Sequence, residues 1–422
     1  MDPDYADARR DRESARARAR AGNVLRVGFF AVGASAHHIL YLVPFMRCCA
    51  GAELALFQAE PAYREHLVQA FPEIKIAALH EADAEAAIRY LEQFSILIFA
   101  SSYPWFAEHI RPRLRDDIVL VRVMHGAGHK FVDDRNYIFG SVHGWDCSVV
   151  AGRKALDILY HHLGTEKERR VYDNPITLIG PGGRSCKVIQ SGNLRVRDYT
   201  QAHQTGRGRA GLGPGTDTVP RVKNLLYMST YSWNYNLERS DFSALPFFIE
   251  LLRAMPRLDR YALAISLHPN LRWERELLAD LRDVLAARGL ANESIEFDGD
   301  YLPLMAAADL LITDRTSAAM DFLYFDKPIV FLDHEGICPA AIALEDVTES
   351  YWSYRNGPVV GPDNADAFES VVERAIEADT HAAIRADSRD YSFNDSVTPE
   401  DVLRMIATHP KLDALSRPST PE

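Results

Sequence analysis

The sequence predicts an α/β protein with two Rossmann-like, mostly parallel-sheet domains facing a cleft. Three observations support this. Short apolar runs rich in β-formers alternate with helical patterns from Val24 to Gln190. A glycine-rich stretch without apolar periodicity, Gln201 to Pro220, then interrupts the series. The alternation resumes at Leu225 and continues to Ala378. A chain of 422 residues is long for one core and fits two domains of ordinary size with tails.

Residues 1–22, rich in Arg, Asp and Ala, form a disordered or helical tail with no apolar face to bury. Six arginines from Arg9 to Arg20 give it the means to touch anionic lipid, but the interspersed acids favour a solvated tail. The Arg-rich run followed by Val27–Val32 superficially matches a signal peptide. Arg26 interrupts that apolar run, and the same residues make a good first strand. Nothing approaches the roughly 18 apolar residues of a membrane span.

The first domain, residues 23–200, is expected to use strands at Val24–Val32, Glu53–Gln58, Ile74–Ala78, Ile96–Ala100, Ile118–Met124, Cys147–Val150 and Lys187–Gln190. Helices near Ala62–Ala70, Ala84–Leu91 and Lys154–His162 separate them. Residues 201–220 read as a flexible linker. In the second domain, 221–390, strands fall at Leu225–Met228, Leu263–Leu267, Ile295–Phe297, Leu310–Thr313 and Ile329–Leu332. Its helices fall at Ala244–Met255, Glu274–Arg288 and Asp366–Ala378. Residues 391–422 are a C-terminal helix and tail.

A formal net charge of −12 argues against general nucleic-acid binding. Five cysteines, Cys48, Cys49, Cys147, Cys186 and Cys338, lack C-x-x-C spacing and suit a reducing cytoplasm. No metal site is read. Asp298-Gly299-Asp300 and Asp133-Asp134 are turn acids, and the pairs His37-His38 and His161-His162 cannot aim together at one ion.

The stretch Leu310 to Asp321 carries the strongest local signal. An apolar run breaks at Asp314, passes Arg315, Thr316 and Ser317, and enters a helical segment running to Phe325. Helix-initial N–H groups and two hydroxyls suit phosphate oxygens. Asp321, one turn beyond Ser317, suits a ribose or glycerol hydroxyl. The alternative is an ordinary N-cap before a buried helix. Arg315 is either a diphosphate ligand or a surface salt-bridge residue. Two histidines also end predicted strands. His125, beside Gly126 and followed by Lys130, follows Ile118–Val123, and His268 follows Leu263–Leu267. A histidine at a strand's carboxyl end can act as a general base, and Lys130 can neutralise phosphate.

Taken in order, these motifs resemble the CDP-glycerol glycerophosphotransferase family of teichoic-acid and capsule polymerases. The motifs are His125-Gly126 with Lys130; Gly192 with Arg195 and Asp198; Leu225 to Tyr231; Leu267-His268-Pro269; Asp309 to Asp321; and Phe393-Asn394-Asp395. The resemblance covers roughly residues 118–405 and implies a GT-B fold. It also implies transfer of a polyol phosphate from a CDP-activated donor to a glycan or cell-envelope polymer, at the inner membrane face, without a cofactor. His125 would deprotonate the acceptor hydroxyl. His268 would contact the donor pyrophosphate, and Thr316 and Ser317 would hold its phosphates. Asp314, Arg315, Asp321, Gly126, Lys130 and Arg195 would complete the donor site. Five positions depart from the family pattern, and the Gly192–Asp198 spacing is longer than the pattern has it. Met124 replaces an aromatic residue, Ala127-Gly128 a Thr-Pro pair, and Arg315 an aromatic residue; the proline after Gly192 is missing. These departures keep two alternatives open: a nucleotide-sugar-dependent glycosyltransferase and a non-catalytic nucleotide-binding relative.

Overall fold

The structure is a computed structural model. It describes residues 25–32, 36–57, 61–80, 83–100, 105–124, 138, 140, 142–180, 183–204, 223–232, 242–255, 260–290, 295–297 and 300–412. The chain forms two compact units, changing from one to the other between Arg195 and Val196 and returning between Phe393 and Asn394.

The first unit holds an eight-stranded sheet in the order β3-β2-β1-β4-β5-β6-β8-β7. Its strands are β1 (Val27–Val32), β2 (Glu53–Phe57), β3 (Lys75–Leu79), β4 (Ile96–Phe99), β5 (Val119–Val123), β6 (Cys147–Val150), β7 (Ile176–Ile179) and β8 (Ser185–Gln190). All pairings are parallel except that of β7 with β8. β4 and β5 are buried at every position, as expected for central parallel strands covered on both faces. Phe29, Phe45, Leu56 and Ile98 lie in the core, which is closed by Val402 and Ile406 from the C-terminal helix Pro399–Ala407. That helix starts with a capping box in which Thr398 and Asp401 satisfy each other's backbone N–H.

The second unit holds a six-stranded, wholly parallel sheet in the order β11-β10-β9-β12-β13-β14. The strands are β9 (Lys223–Ser229), β10 (Tyr261–Leu267), β11 (Ile295–Glu296), β12 (Leu310–Thr313), β13 (Ile329–Leu332) and β14 (Val359–Val360). Tyr227 of β9 stacks on Phe248 of the helix Leu245–Ala254, with ring centroids 3.7 Å apart. Both residues are fully buried, which for the apolar Phe248 side chain contributes about 1.5–3 kcal/mol. In both sheets the first six strands follow the doubly wound order 3-2-1-4-5-6. Chain direction reverses beside the first strand of each sheet. In the second unit, the switch point therefore lies between the carboxyl ends of β9 and β12.

Several elements differ from expectation. The edge strand β7 and its hairpin with β8 were not anticipated, because four residues after Pro175 give too short an apolar run to read. The helix Leu194–Gln204 was also missed, and it takes in the first four residues of the stretch read as linker. Residues 205–220, like the tail 1–22, lie outside the described residues. The helix Ala382–Ser392 was unread because Arg, Asp and Ser dilute its apolar face. Among the described residues, no helix is long and apolar enough to cross a membrane.

Candidate functional site at the carboxyl edge of the second sheet

Three strands of the second sheet deliver the predicted residues to one edge. β9 ends at Ser229 and leads into Thr230 and Tyr231; β10 ends at Leu267 and leads into His268; β12 ends at Thr313 and leads into Asp314–Ser317. β9 pairs with both β10 and β12, with Ser229 opposite Leu267 and Met228 opposite Thr313. The three exits therefore start at nearly the same level of the sheet. Ligands of open α/β sheets bind outside such carboxyl ends, at the switch point.

Asp314 organises this edge. It is fully buried and its carboxylate faces the chain's own backbone. Oδ1 and Oδ2 accept from the Thr230 N–H at 2.9 and 3.1 Å, and Oδ2 also accepts from the Ala244 N–H at 3.0 Å. Ala244 is the N-cap of the helix Leu245–Ala254. One carboxylate thus joins the end of β9, the end of β12 and a helix start. The expected donor-binding role for Asp314 is corrected to a framework role. Burial, with the Asp314 charge adding to it, holds the phenols of Tyr227 and Tyr354 well above the ordinary tyrosine range.

The turn itself also differs from expectation. The α-helix after it is short, Ala318–Phe322, and continues as a 3-10 turn to Phe325. Its first N–H groups are already used. Ala318 donates to Thr316 Oγ1, Ala319 to the Thr316 carbonyl, and Met320 and Asp321 to the Ser317 carbonyl. Backbone donors at the helix start are therefore not the phosphate-binding feature they were expected to be. Ser317 is the N-cap, yet its side chain makes no capping hydrogen bond, and it is partly exposed. Thr316 is nearly buried.

Arg315 forms the salt bridge that one sequence alternative named, but from a buried position and not at the surface. It is buried and pairs with Glu335 at 2.6 Å, donates to Ser350 Oγ at 3.1 Å and lies 5.0 Å from the Phe242 ring centroid. A guanidinium committed in this way braces the turn. Asp321 is fully buried and accepts a 2.5 Å hydrogen bond from the Tyr301 hydroxyl, so it faces inward and not toward a ribose beside Ser317.

His268 is partly exposed and caps a short 3-10 turn, Pro269–Trp273. Its Nδ1 accepts from the Asn270 N–H at 3.2 Å, which leaves the neutral ring's proton on Nε2. The ring packs against Tyr231, with centroids 4.8 Å apart. Tyr231 was quoted within its motif but given no role; its place two residues past a strand end was the available signal. Tyr301 and Glu335 were missed, and no local pattern marks them.

Arg195 belongs to the first unit, near the start of the helix Leu194–Gln204, and lies 5.4 Å from the Tyr41 ring centroid. Gly192 precedes that helix with a φ of 72°, a left-handed conformation that favours glycine. His125, Gly126 and Lys130 lie outside the described residues.

These two doubly wound sheets define an α/β architecture of the GT-B kind. Residues 203–336 match the family model of CDP-Glycerol:Poly(glycerophosphate) glycerophosphotransferase. The resemblance read from the motifs is borne out over that stretch, which contains Tyr231, His268 and Asp314–Asp321 but neither His125 nor Arg195. Among solved structures, the wall teichoic acid polymerase TagF, as a histidine variant soaked with CDPG, is similar at a TM-score of 0.54 and 11% identity, covering 97% of this chain and 95% of that one. Anabaena HepE in complex with UDP and glucose is similar at 0.50 and 13%, covering 91% and 100%. A protein from Listeria monocytogenes described as a UDP-N-acetylglucosamine 2-epimerase is similar at 0.53 and 12%, covering 91% and 96%. No curated protein sequence matches the chain. At these identities the solved structures show the fold alone, and folds of this kind carry more than one chemistry.

Proposed function

We propose that this chain is a glycerophosphotransferase-like enzyme. It moves glycerol phosphate or a related polyol phosphate from a CDP-activated donor to a hydroxyl of a glycan or cell-envelope polymer. One observation supports this reading: Tyr231, His268 and Thr316-Ser317 follow the carboxyl ends of the adjacent strands β9, β10 and β12, inside the stretch that matches the glycerophosphotransferase family.

In this reading the donor pyrophosphate rests at that edge. Transfer needs a base for the incoming hydroxyl and charge stabilisation for departing CMP. His268 offers its Nε2–H to a phosphoryl oxygen, since Nδ1 is held as an acceptor by Asn270. It acts as a donor to developing charge and does not take the acceptor's proton. Ser317 contributes the hydroxyl that its helix leaves unused for capping. Asp314, Arg315 and Asp321 hold these groups in position. The base is assigned to His125, with Gly126, Lys130 and Arg195 flanking the phosphates, on the family resemblance. The enzyme works in the cytoplasm, with peripheral contact to the membrane where its polymer acceptor is built.

Titration calorimetry with CDP, CMP, UDP and GDP tests the donor. CDP is expected to bind most tightly, and His268→Ala to weaken it at least tenfold while the fold is kept. Transfer from CDP-glycerol should disappear in His125→Ala with CDP binding retained. The similarity to HepE, which holds UDP and glucose, supports a nucleotide-sugar donor as the second reading. Binding of UDP alone would favour it and exclude the first.

A further inference from the structure

A cavity of about 690 Å3 lies outside the carboxyl ends of β13 and β14, within the second unit. Its size falls in the range of small-molecule sites, which is about 300–1,000 Å3. None of the residues assigned to the donor site lines it. Gly357 helps to form its wall: a Cβ there would meet the Ile329 carbonyl oxygen at 1.9 Å, so only glycine lets this turn lie against β13.

Two charged side chains in the wall are incompletely satisfied. Asp333 is 3% exposed; its Oδ2 accepts from the Cys338 N–H at 2.7 Å, while its buried Oδ1 has no partner among the described residues. Arg355 donates from Nη1 to Ser388 Oγ at 2.8 Å and lies 5.5 Å from the Trp352 ring centroid, but its buried Nε is unpartnered. Buried polar atoms without partners are rare; both lie beneath the surface of the wall, so they mark it as polar and short of internal partners.

The chemistry of the wall narrows the ligand. Asp333 and Asp363 outweigh Arg355 in charge, so an anion is disfavoured. Burial and the nearby Arg385 lower the pKa of His381 from its ordinary value, so it adds no cation near neutral pH. The Cys338 thiol, pushed up to about 11 by burial and Asp333, stays protonated. Separate hydroxyls of one molecule can donate to Asp333 and accept from Arg355, while Ala340, Ile342 and Ile384 offer apolar surface to a carbon skeleton. The geometry points to a binding site for a neutral polyhydroxylated group, a polyol or a glycosyl unit, at the carboxyl ends of β13 and β14.

Two sources present that chemistry. One is a free stretch of glycan. The other is the group carried on a nucleotide donor, since β13 lies beside β12 with Phe331 opposite Thr313, and adjacent strands are about 4.8 Å apart. The second source rests on the CDP-donor reading; the hydroxyl chemistry does not.

Saturation-transfer NMR on the full chain with glycerol, ribitol, glucose and CDP-glycerol tests the site. Wild type is expected to saturate the polyol protons of at least one probe. Asp333→Asn should weaken that signal at least fivefold. Ala340→Trp, at an exposed position of the wall, should abolish it, and both variants should leave the Kd for CDP within twofold. Signal from a free polyol or glucose identifies a glycan site, and polyol signal only within CDP-glycerol identifies a donor-borne group. Absence of any polyol signal, a signal unaffected by Ala340→Trp, or displacement by inorganic phosphate would overturn the inference. Failure of wild type to bind CDP would defeat the proposed function while leaving a free-polyol result standing.

Discussion

Replacing Asp314 with Asn tests whether one buried carboxylate holds the candidate site together. The geometry sets the magnitude. Both carboxylate oxygens lie within 3.1 Å of the Thr230 nitrogen, and Oδ2 also serves Ala244. An asparagine whose oxygen takes the Oδ2 position keeps a neutral acceptor for both N–H groups. Its NH2 then falls where Oδ1 was, 2.9 Å from another donor. Turning the amide over leaves Ala244 facing the NH2 instead. Either way one buried donor, the new NH2 in the first case and the Ala244 N–H in the second, is left without a partner, at a cost of about 1–3 kcal/mol. Removing a buried charge offsets part of this, so about 2 kcal/mol is expected. With two compact units, a global unfolding curve does not localise the loss to these two N–H groups. Hydrogen exchange read at the amides of Thr230 and Ala244 is local, and 2 kcal/mol corresponds to about a thirtyfold loss of protection. Weaker CDP binding should accompany it. Unchanged exchange at both amides would refute the framework role.

Two further substitutions follow. Lys154 is 4% exposed in the helix Arg153–His162, and burial lowers its pKa to about 7 from the usual 10.5. The unfolded chain therefore binds more protons between those values, so the lysine's destabilising effect is full below about pH 7 and fades as pH rises toward 10.5. Lys154→Met should stabilise the first unit by up to about 5 kcal/mol at pH 7. Thermal melts should show a gain that shrinks toward pH 10; a gain constant with pH would count against the buried charge as its cause. Gly357→Ala should destabilise the second unit by roughly 2–4 kcal/mol, because its methyl would strike the backbone of β13. A melting temperature within a degree of wild type would show that the turn can move away.

What could be read from the sequence followed from the range of the physics. β6, β12 and β13 were read at their observed bounds because buried parallel strands are continuous apolar runs, which is a local property. The edge strand β7 and the two-residue strands β11 and β14 carry little such signal; only β11 was read, one residue too long. Within the site, the strand-end positions of His268 and Asp314–Ser317 were legible because strand ends are local too. Side-chain direction was not. Asp314 and Asp321 were assigned to a ligand because a carboxylate near a phosphate-friendly turn is a sensible acceptor. The partners that claim them, Thr230, Ala244 and Tyr301, come from other segments. Glu335, which claims Arg315, lies twenty residues further along the chain.

The same distinction bears on the departures from the family pattern. An arginine in the turn after β12, where the family pattern has an aromatic residue, leaves open on sequence alone whether a cation meets the diphosphate or forms a salt bridge. In the folded chain that cation is spent on Glu335, Ser350 and the Phe242 ring. An aromatic side chain could serve the same bracing purpose by packing, so the replacement alters how the turn is held more than what the turn holds. Arg315 then gives no reason to move the donor away from a CDP-linked group. The departures around His125, at Met124 and Ala127-Gly128, carry the remaining weight against the glycerophosphotransferase reading. They fall outside the stretch that matches the family, beside the histidine assigned to the acceptor hydroxyl.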